Sequence, residues 1–293
     1  MERTKQQHYV PRAYLRFFSV NPFDENPKVY FYDKIANKTA ITNVRNIAQE
    51  RDFYTLDDQE DKDYWERFFS ENVDGVLARE LQKLNSKIAL QNCNAQVITE
   101  DDKRNLALII SYQIVRTKNA MQFACMKAHE VMPPIISRYR DLARQLGRHE
   151  LQVLLDAYTT DERKLKNLTL PVMLERERVQ KFSSILESML WTIYYNQSSF
   201  EFWTSDNPVV IYNFNDKRQG LGTVGFLEQF AFIVFPISPR AAIVLRHKTE
   251  YLVEAFFRYE NKITLVPDLH VIEFINKLQF DGCNRFVFTS RAL

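Results

Sequence analysis

The sequence is poor in the features on which several familiar functions depend. Six glycines in 293 residues leave no room for glycine-rich repeats, collagen-like tracts or long flexible linkers, and no glycine-rich phosphate loop is present. The three cysteines, Cys93, Cys125 and Cys283, are odd in number, far apart and without CxxC or histidine-rich spacing. That argues against a disulfide framework or structural zinc site and fits a reducing compartment. No GxSxG, HExxH or EF-hand pattern occurs, which argues against α/β-hydrolase, zincin and calcium-switch chemistry. There is no run of about 18 apolar residues, and no apolar segment follows the charged start MERTKQQ. The expectation is a cytoplasmic protein without membrane association. Nor does one charge dominate: 39 basic against 37 acidic residues give a net +2, too little for a general nucleic-acid-binding field. Binding of nucleic acid or another phosphate-containing ligand would need a local basic groove.

Aromatic residues are plentiful, with 22 Phe and 14 Tyr, so the core is expected to be built largely from rings. The length suits one large domain or two packed lobes. We read a single α+β domain over 1–293, with sub-regions 1–60 (N-terminal segment and hairpin), 61–190 (helical) and 191–293 (β-rich). The opening 1–21 reads as a lead and a helical turn begun by Pro11. Residues 28–34 alternate as a strand does, with 39–41 returning as a hairpin partner.

Apolar residues at three- and four-residue spacing predict a helix over 62–84, and a capping box at Thr99–Asp102 begins another that runs to about 117. A third, 120–145, is expected to kink or restart at Pro133-Pro134 and stop at Gly147. A short helix at 151–158, a loop to 170 and a helix over 174–190 follow. From Trp191, β-branched and aromatic runs predict strands at 191–195, 200–204, 209–212, 230–236, 241–245 and 285–289, with a helix over 265–278. The fold class is α+β: a small N-terminal β-hairpin, a helical middle and a mostly antiparallel C-terminal sheet.

Candidate chemistry rests on a few polar residues. His8 suits acid/base work, or a single hydrogen bond that anchors the segment. Arg12, four residues on, could hold an anion. Gln113 and Arg116 share a helix face among Ile109, Ile110 and Ile114. A buried guanidinium there needs a carboxylate, with Asp206 or Glu66 the candidates, and its planar fork suits phosphate equally well. Thr204–Pro208 reads as a turn between strands. Its Asp206 could be a metal ligand or general base, with Asn207 contacting substrate, or both could simply hold the turn by Asx bonding. Glu66 is either a solvated helix residue or, pointing inward, part of a His–Glu–Asp–Arg set of the kind that assists phosphodiester hydrolysis with a divalent metal. Arg144 and His149 carry an Arg-x4-His spacing, but Gly147 between them breaks any shared face.

The segments HYVPRAYLRFF (8–18), NVRNIAQERDFYTL (43–56), QIVRT (113–117), TSDNPV (204–209), FPISPR (235–240) and NKLQFDGCNRFVFTS (276–290) together resemble domain-of-unknown-function family 4238 over the length of the chain. The resemblance implies positions rather than roles, since the family carries no established activity, substrate or cofactor. Similar proteins often place a proline after the arginine–threonine pair, where this chain has Lys118. The expectation is a hydrolase acting on a phosphate-containing substrate, with nuclease activity one form. Its catalytic residues are His8, Asp206 and Glu66, its substrate contacts Arg12, Gln113, Arg116 and Asn207, and its metal, if any, is a divalent ion on Asp206. The alternative is a non-enzymatic binding or effector module. Either could belong to mobile-element defence.

Overall fold

In this computed structural model, residues 6–57, 59–90, 92–248, 256–266 and 268–292 are described. The charged lead 1–5 lies outside them. The chain begins with β1 (Gln6–His8) and α1 (Arg12–Leu15), whose N-cap is Pro11. Strands β2 (Lys28–Asp33) and β3 (Lys38–Asn43) form the expected hairpin. β4 (Gln49–Arg51) then returns to pair antiparallel with β1, His8 opposite Gln49. The turn into β4 carries Ala48 at φ 54°, a left-handed conformation uncommon for a residue with a side chain. Its carbonyl accepts Tyr9 N at 3.1 Å.

The helix expected over 62–84 is broken into three pieces: α2 (Tyr64–Phe68), a π-helical stretch Phe69–Asp74, and α3 (Gly75–Leu90). α4 (Glu100–Val115) starts at the capping box, where Thr99 and Asp102 bond each other's backbone. α5 (Lys118–Gln145) passes through Pro133-Pro134 without a break. Both prolines are exposed, as are His129 and Glu130. Water can therefore take the carbonyls that the prolines leave without donors. α6 (His149–Thr160) is followed by α7 (Glu162–Leu174), a helix where a loop was expected, capped by Asp161. α8 (Arg176–Ser188) completes the helical middle.

The remaining strands are β5 (Leu190–Tyr195), β6 (Thr204–Ser205), β7 (Val210–Asn213), β8 (Ala231–Ser238), β9 (Ala241–Arg246), β10 (Ile263–Leu265) and β11 (Phe286–Thr289). The last helix, α9 (Leu269–Gly282), begins later than the sequence suggests, because 263–265 add a strand parallel to β5 instead. One sheet runs β10–β5–β9–β8–β7 and another β3–β2–β11–β6, so the N-terminal hairpin is completed by the end of the chain.

The five-stranded sheet has two covered faces, and strand alternation sorts its residues between them. Ile233, Phe235, Ile243 and Leu245 face the main core, with Leu81, Ile110 and Leu186 of the helices. Phe232, Val234, Ala242 and Val244 face a smaller core closed by Ile272, Ile275 and Leu278 of α9. The main core extends in sequence from Tyr9 to Phe288 and draws on all three sub-regions. The architecture is α+β with mostly antiparallel sheets. Among the described residues no helix is long and apolar enough to cross a membrane.

Candidate functional site

The polar residues singled out in the sequence fall into two clusters. Arg116 is the centre of the first. It is 1% exposed, and its fork is divided three ways: Nε donates to Tyr54 Oη at 3.2 Å, Nη2 to the His8 carbonyl at 2.8 Å, and Nη1 to Asp74. Its plane lies 4.1 Å from the Phe69 ring centroid, and Tyr54 Oη returns a bond to the Arg116 carbonyl at 3.0 Å. The carboxylate partner is therefore Asp74, not Asp206 or Glu66. In an ordinary α-helix of about 3.6 residues per turn, Asp74 would stand ~80° round from Glu66. The wider π turn between them takes up that overshoot and delivers Phe69 and Asp74 to the same guanidinium.

Gln113, 2% exposed, donates to the Tyr9 carbonyl at 3.2 Å and leaves its own oxygen unpartnered. It holds the backbone of the N-terminal segment and faces no open cleft. Gln7 does similar work from β1, accepting Tyr54 N at 2.6 Å and donating to Thr55 at 3.2 Å.

Around this knot stand three further titratable groups. Burial pushes the Glu66 carboxyl up to about 7; Arg116 and Arg12 oppose the rise, and Asp74 adds to it. Burial, Arg12 and Arg116 together bring His8 down to about 4 against backbone hydrogen bonds at Arg45 and Val44. Its Nε2 has no partner. The same two arginines thus act on both side chains. Arg12 is exposed, and its side chain makes no hydrogen bond or ion pair among the described residues.

Arg12 and Asp74 open onto a groove of about 1120 Å³. Arg16, Arg45 and Arg240 also line it. Among the described residues their side-chain hydrogen bonds go to neutral oxygens, on Asp24 (backbone), Asn26 (side chain), and Ser198 and Phe200 (backbone).

Asp206 belongs to the second cluster. It is 1% exposed, and its two oxygens accept three successive backbone N–H groups: Asn284 at 2.8 Å, Arg285 at 2.7 Å and Phe286 at 3.0 Å. Burial pushes its carboxyl up to about 6 against those bonds. This is a carboxylate closing the turn into β11, flanked by Ser205 bonded to Gln279 at 2.7 Å and by Asn207 donating to the Gly282 carbonyl at 3.0 Å. The Asx bonding expected within Thr204–Pro208 is not what Asp206 and Asn207 make: Thr204–Ser205 is a strand, both side chains tie to residues 282–286, and Asp206 has no oxygen left without a donor. Asn207 lines a separate pocket of about 500 Å³, with Asn119, Gln122, Gln219 and Asn284 among its walls. Cys283 lies nearby, its thiol pushed up to about 12 by burial and by Asp206, the opposite of an activated nucleophile.

Among the described residues no three His, Cys, Asp or Glu side chains cluster so as to hold a metal ion. His8, Glu66, Arg12 and Asp74 gather around Arg116, while Asp206 and Asn207 lie with the C-terminal turn. Arg144 pairs with its own-helix neighbour Asp141 at 3.5 Å.

The two clusters are joined by tyrosines. Tyr14, fully buried, bonds Thr204 and the Pro236 carbonyl, each at 2.6 Å. The Asp206 and Glu50 charges both act on Tyr9. Lys118 ion-pairs with Glu50 at 2.5 Å and lies 5.3 Å from the Tyr9 ring centroid, at the first helical position that a proline would otherwise suit. The six motif segments are thus one connected piece of structure. A family model described as "Protein of unknown function (DUF4238)" matches residues 6–292. The chain belongs to the DUF4238 family. No curated protein and no solved structure matches it. Within this DUF4238 chain, the residues that sequence reasoning missed are Tyr54 and Asp74. Tyr54 lay inside a quoted motif, whereas Asp74 becomes visible only once the π turn is known.

Proposed function

We propose that the protein is a hydrolase of a phosphate-containing substrate, with Glu66 as the proton-transfer group and Arg12 as the contact to the anion. One observation carries this. A carboxyl group brought up to about 7 is matched to proton transfer at neutral pH, and it is influenced by Arg12 and Asp74, both of which line a groove rich in unneutralised arginine. In hydrolysis, water forms the new P–O bond and the ester P–O bond breaks. Glu66 gives its proton to the leaving oxygen, and the proton lost by water passes to solvent in the groove. Arg116 contributes by fixing the His8 backbone and Asp74 rather than by touching substrate.

The test is turnover of bis(p-nitrophenyl) phosphate and of end-labelled oligonucleotides, with and without Mg²⁺ or Mn²⁺. Activity should fall as pH rises through about 7, because the acid form of Glu66 is the working one. Glu66→Gln should lower the rate by about 10²–10⁴, the usual share of a general acid. Wild-type rates in that variant would remove Glu66 from the chemistry. The competing view, a binding module without turnover, draws on the fact that Arg116, Gln113 and Asp206 all hold the chain's own backbone. It predicts groove binding with no cleavage of either substrate.

A further inference from the structure

The groove beside Arg12 has a composition that narrows the substrate class. We infer that it takes a single strand of nucleic acid, with phosphates on Arg12, Arg16, Arg45 and Arg240 and a base stacked on Phe23. This rests on the hydrolase proposal only in placing the reactive phosphate near Arg12; the binding itself stands on separate observations.

The first is charge. The whole chain carries a net +2, yet four arginines converge on one groove whose acidic lining residues are Glu25 and Asp74, the latter already engaged by Arg116. None of the four is ion-paired to a carboxylate among the described residues. A guanidinium whose bonds go to neutral oxygens keeps its full charge for a ligand, and its fork suits phosphate.

The second is Phe23, which also lines the groove and is 94% exposed. Exposing a phenylalanine so fully is unfavourable in water. The ring is nevertheless presented on an ordered loop, with Asn21 accepting Phe23 N at 3.0 Å, Asp24 accepting Asn26 N at 3.0 Å, and Val20 N bonded to the Lys28 carbonyl at 2.8 Å. Cations and an open aromatic face in one groove are the combination that tracks a single-stranded backbone while stacking its bases. Paired bases in a duplex have no free face to offer such a ring.

Fluorescence anisotropy with 5′-labelled DNA and RNA strands of about twelve nucleotides, within the usual site size for such grooves, and with the corresponding duplexes, tests this on the full chain. Single strands should bind more tightly than duplex, with affinity falling as salt rises, and the DNA and RNA arms show which sugar the groove prefers. Phe23→Ala should weaken single-strand binding about fivefold or more, the lower end for loss of one base–aromatic stack. Duplex binding should be unchanged. Arg45→Gln should reduce the single-strand salt slope by about 0.7, one phosphate contact. Equal affinity for duplex, or a Phe23→Ala variant that binds like wild type, overturns the inference. Strand binding without turnover in any condition would refute the hydrolase and leave the groove standing. Ester cleavage without strand binding would do the reverse.

Discussion

Replacing Arg116 by lysine keeps the positive charge and removes the fork, and so separates the two roles that sequence left open for this residue. The guanidinium donates to Asp74, Tyr54 and the His8 carbonyl at once. An ammonium on a single stem can satisfy one of these with good geometry. Two charge-assisted bonds are then lost at about 1.5–3 kcal/mol each, and the 4.1 Å stack on Phe69 is weakened as well. The expected destabilisation is about 3–6 kcal/mol, a large part of the roughly 5–15 kcal/mol that a folded domain has. Urea unfolding followed by tryptophan fluorescence measures it. Hydrogen exchange adds a local readout: amides of Gln7 and His8 in β1 should lose protection first, because Arg116 holds that strand's last carbonyl. A double-mutant cycle with Asp74→Asn should give a coupling energy of about 1.5 kcal/mol or more, typical of close charge pairs. If Arg116→Lys matched wild type in urea midpoint and in β1 protection, the tie would be dispensable. Phosphate recognition by Arg116 would return as the better explanation.

Asp206→Asn, with its amide oxygen in the place of the Oδ2 that accepts Arg285 and Phe286, leaves the Asn284 N–H without an acceptor. A net loss of about 1–3 kcal/mol is expected in urea unfolding, since the relief of a buried charge offsets part of the cost. A metal-ligand role predicts instead an unchanged midpoint and lost Mn²⁺ binding in calorimetry. Asp33 is held down to about 2, first by its two-pronged bond with Arg285. A carboxyl lowered by folding stabilises the native state above its unfolded value near 4 and loses that contribution as pH falls through about 2. The stability difference between wild type and Asp33→Asn should therefore be widest at neutral pH and close towards pH 2, which thermal melts across that range will show.

Regular periodicity made much of the helical middle legible, because Leu77, Leu81, Leu84, Leu106 and Ile110 bury the faces their spacing marks. The failures have local causes. Pro133-Pro134 reads as a kink or restart, and the helix does not restart there because at an exposed position solvent can take the carbonyls left without donors. Pro171 and a polar run hid α7, whose Leu165, Leu170 and Leu174 are buried. Ile263–Leu265 read as a helix start because three residues carry no period, and only pairing with β5 makes them a strand. At the site, the isoleucines around Arg116 pointed to at least partial burial, and a carboxylate partner was one of two readings. The sequence could not show which carboxylate, because a π turn is invisible in an apolar pattern. Asp206 was visible as a turn residue, whereas its partners lie 78 to 80 positions away.

The sheet β3–β2–β11–β6 has a consequence for how the protein is made. β2 leaves the ribosome long before its neighbour β11, with Phe31 awaiting Phe288. Tyr14 likewise waits for Thr204 and Pro236, 190 and 222 positions on. Until those segments are made, the hairpin has an open edge and its docking tyrosine is unplaced, a state prone to mispairing. Native closure is a late, long-range event, and such topologies fold slowly. A nascent chain arrested before residue 286 lacks the strand that seals its own beginning.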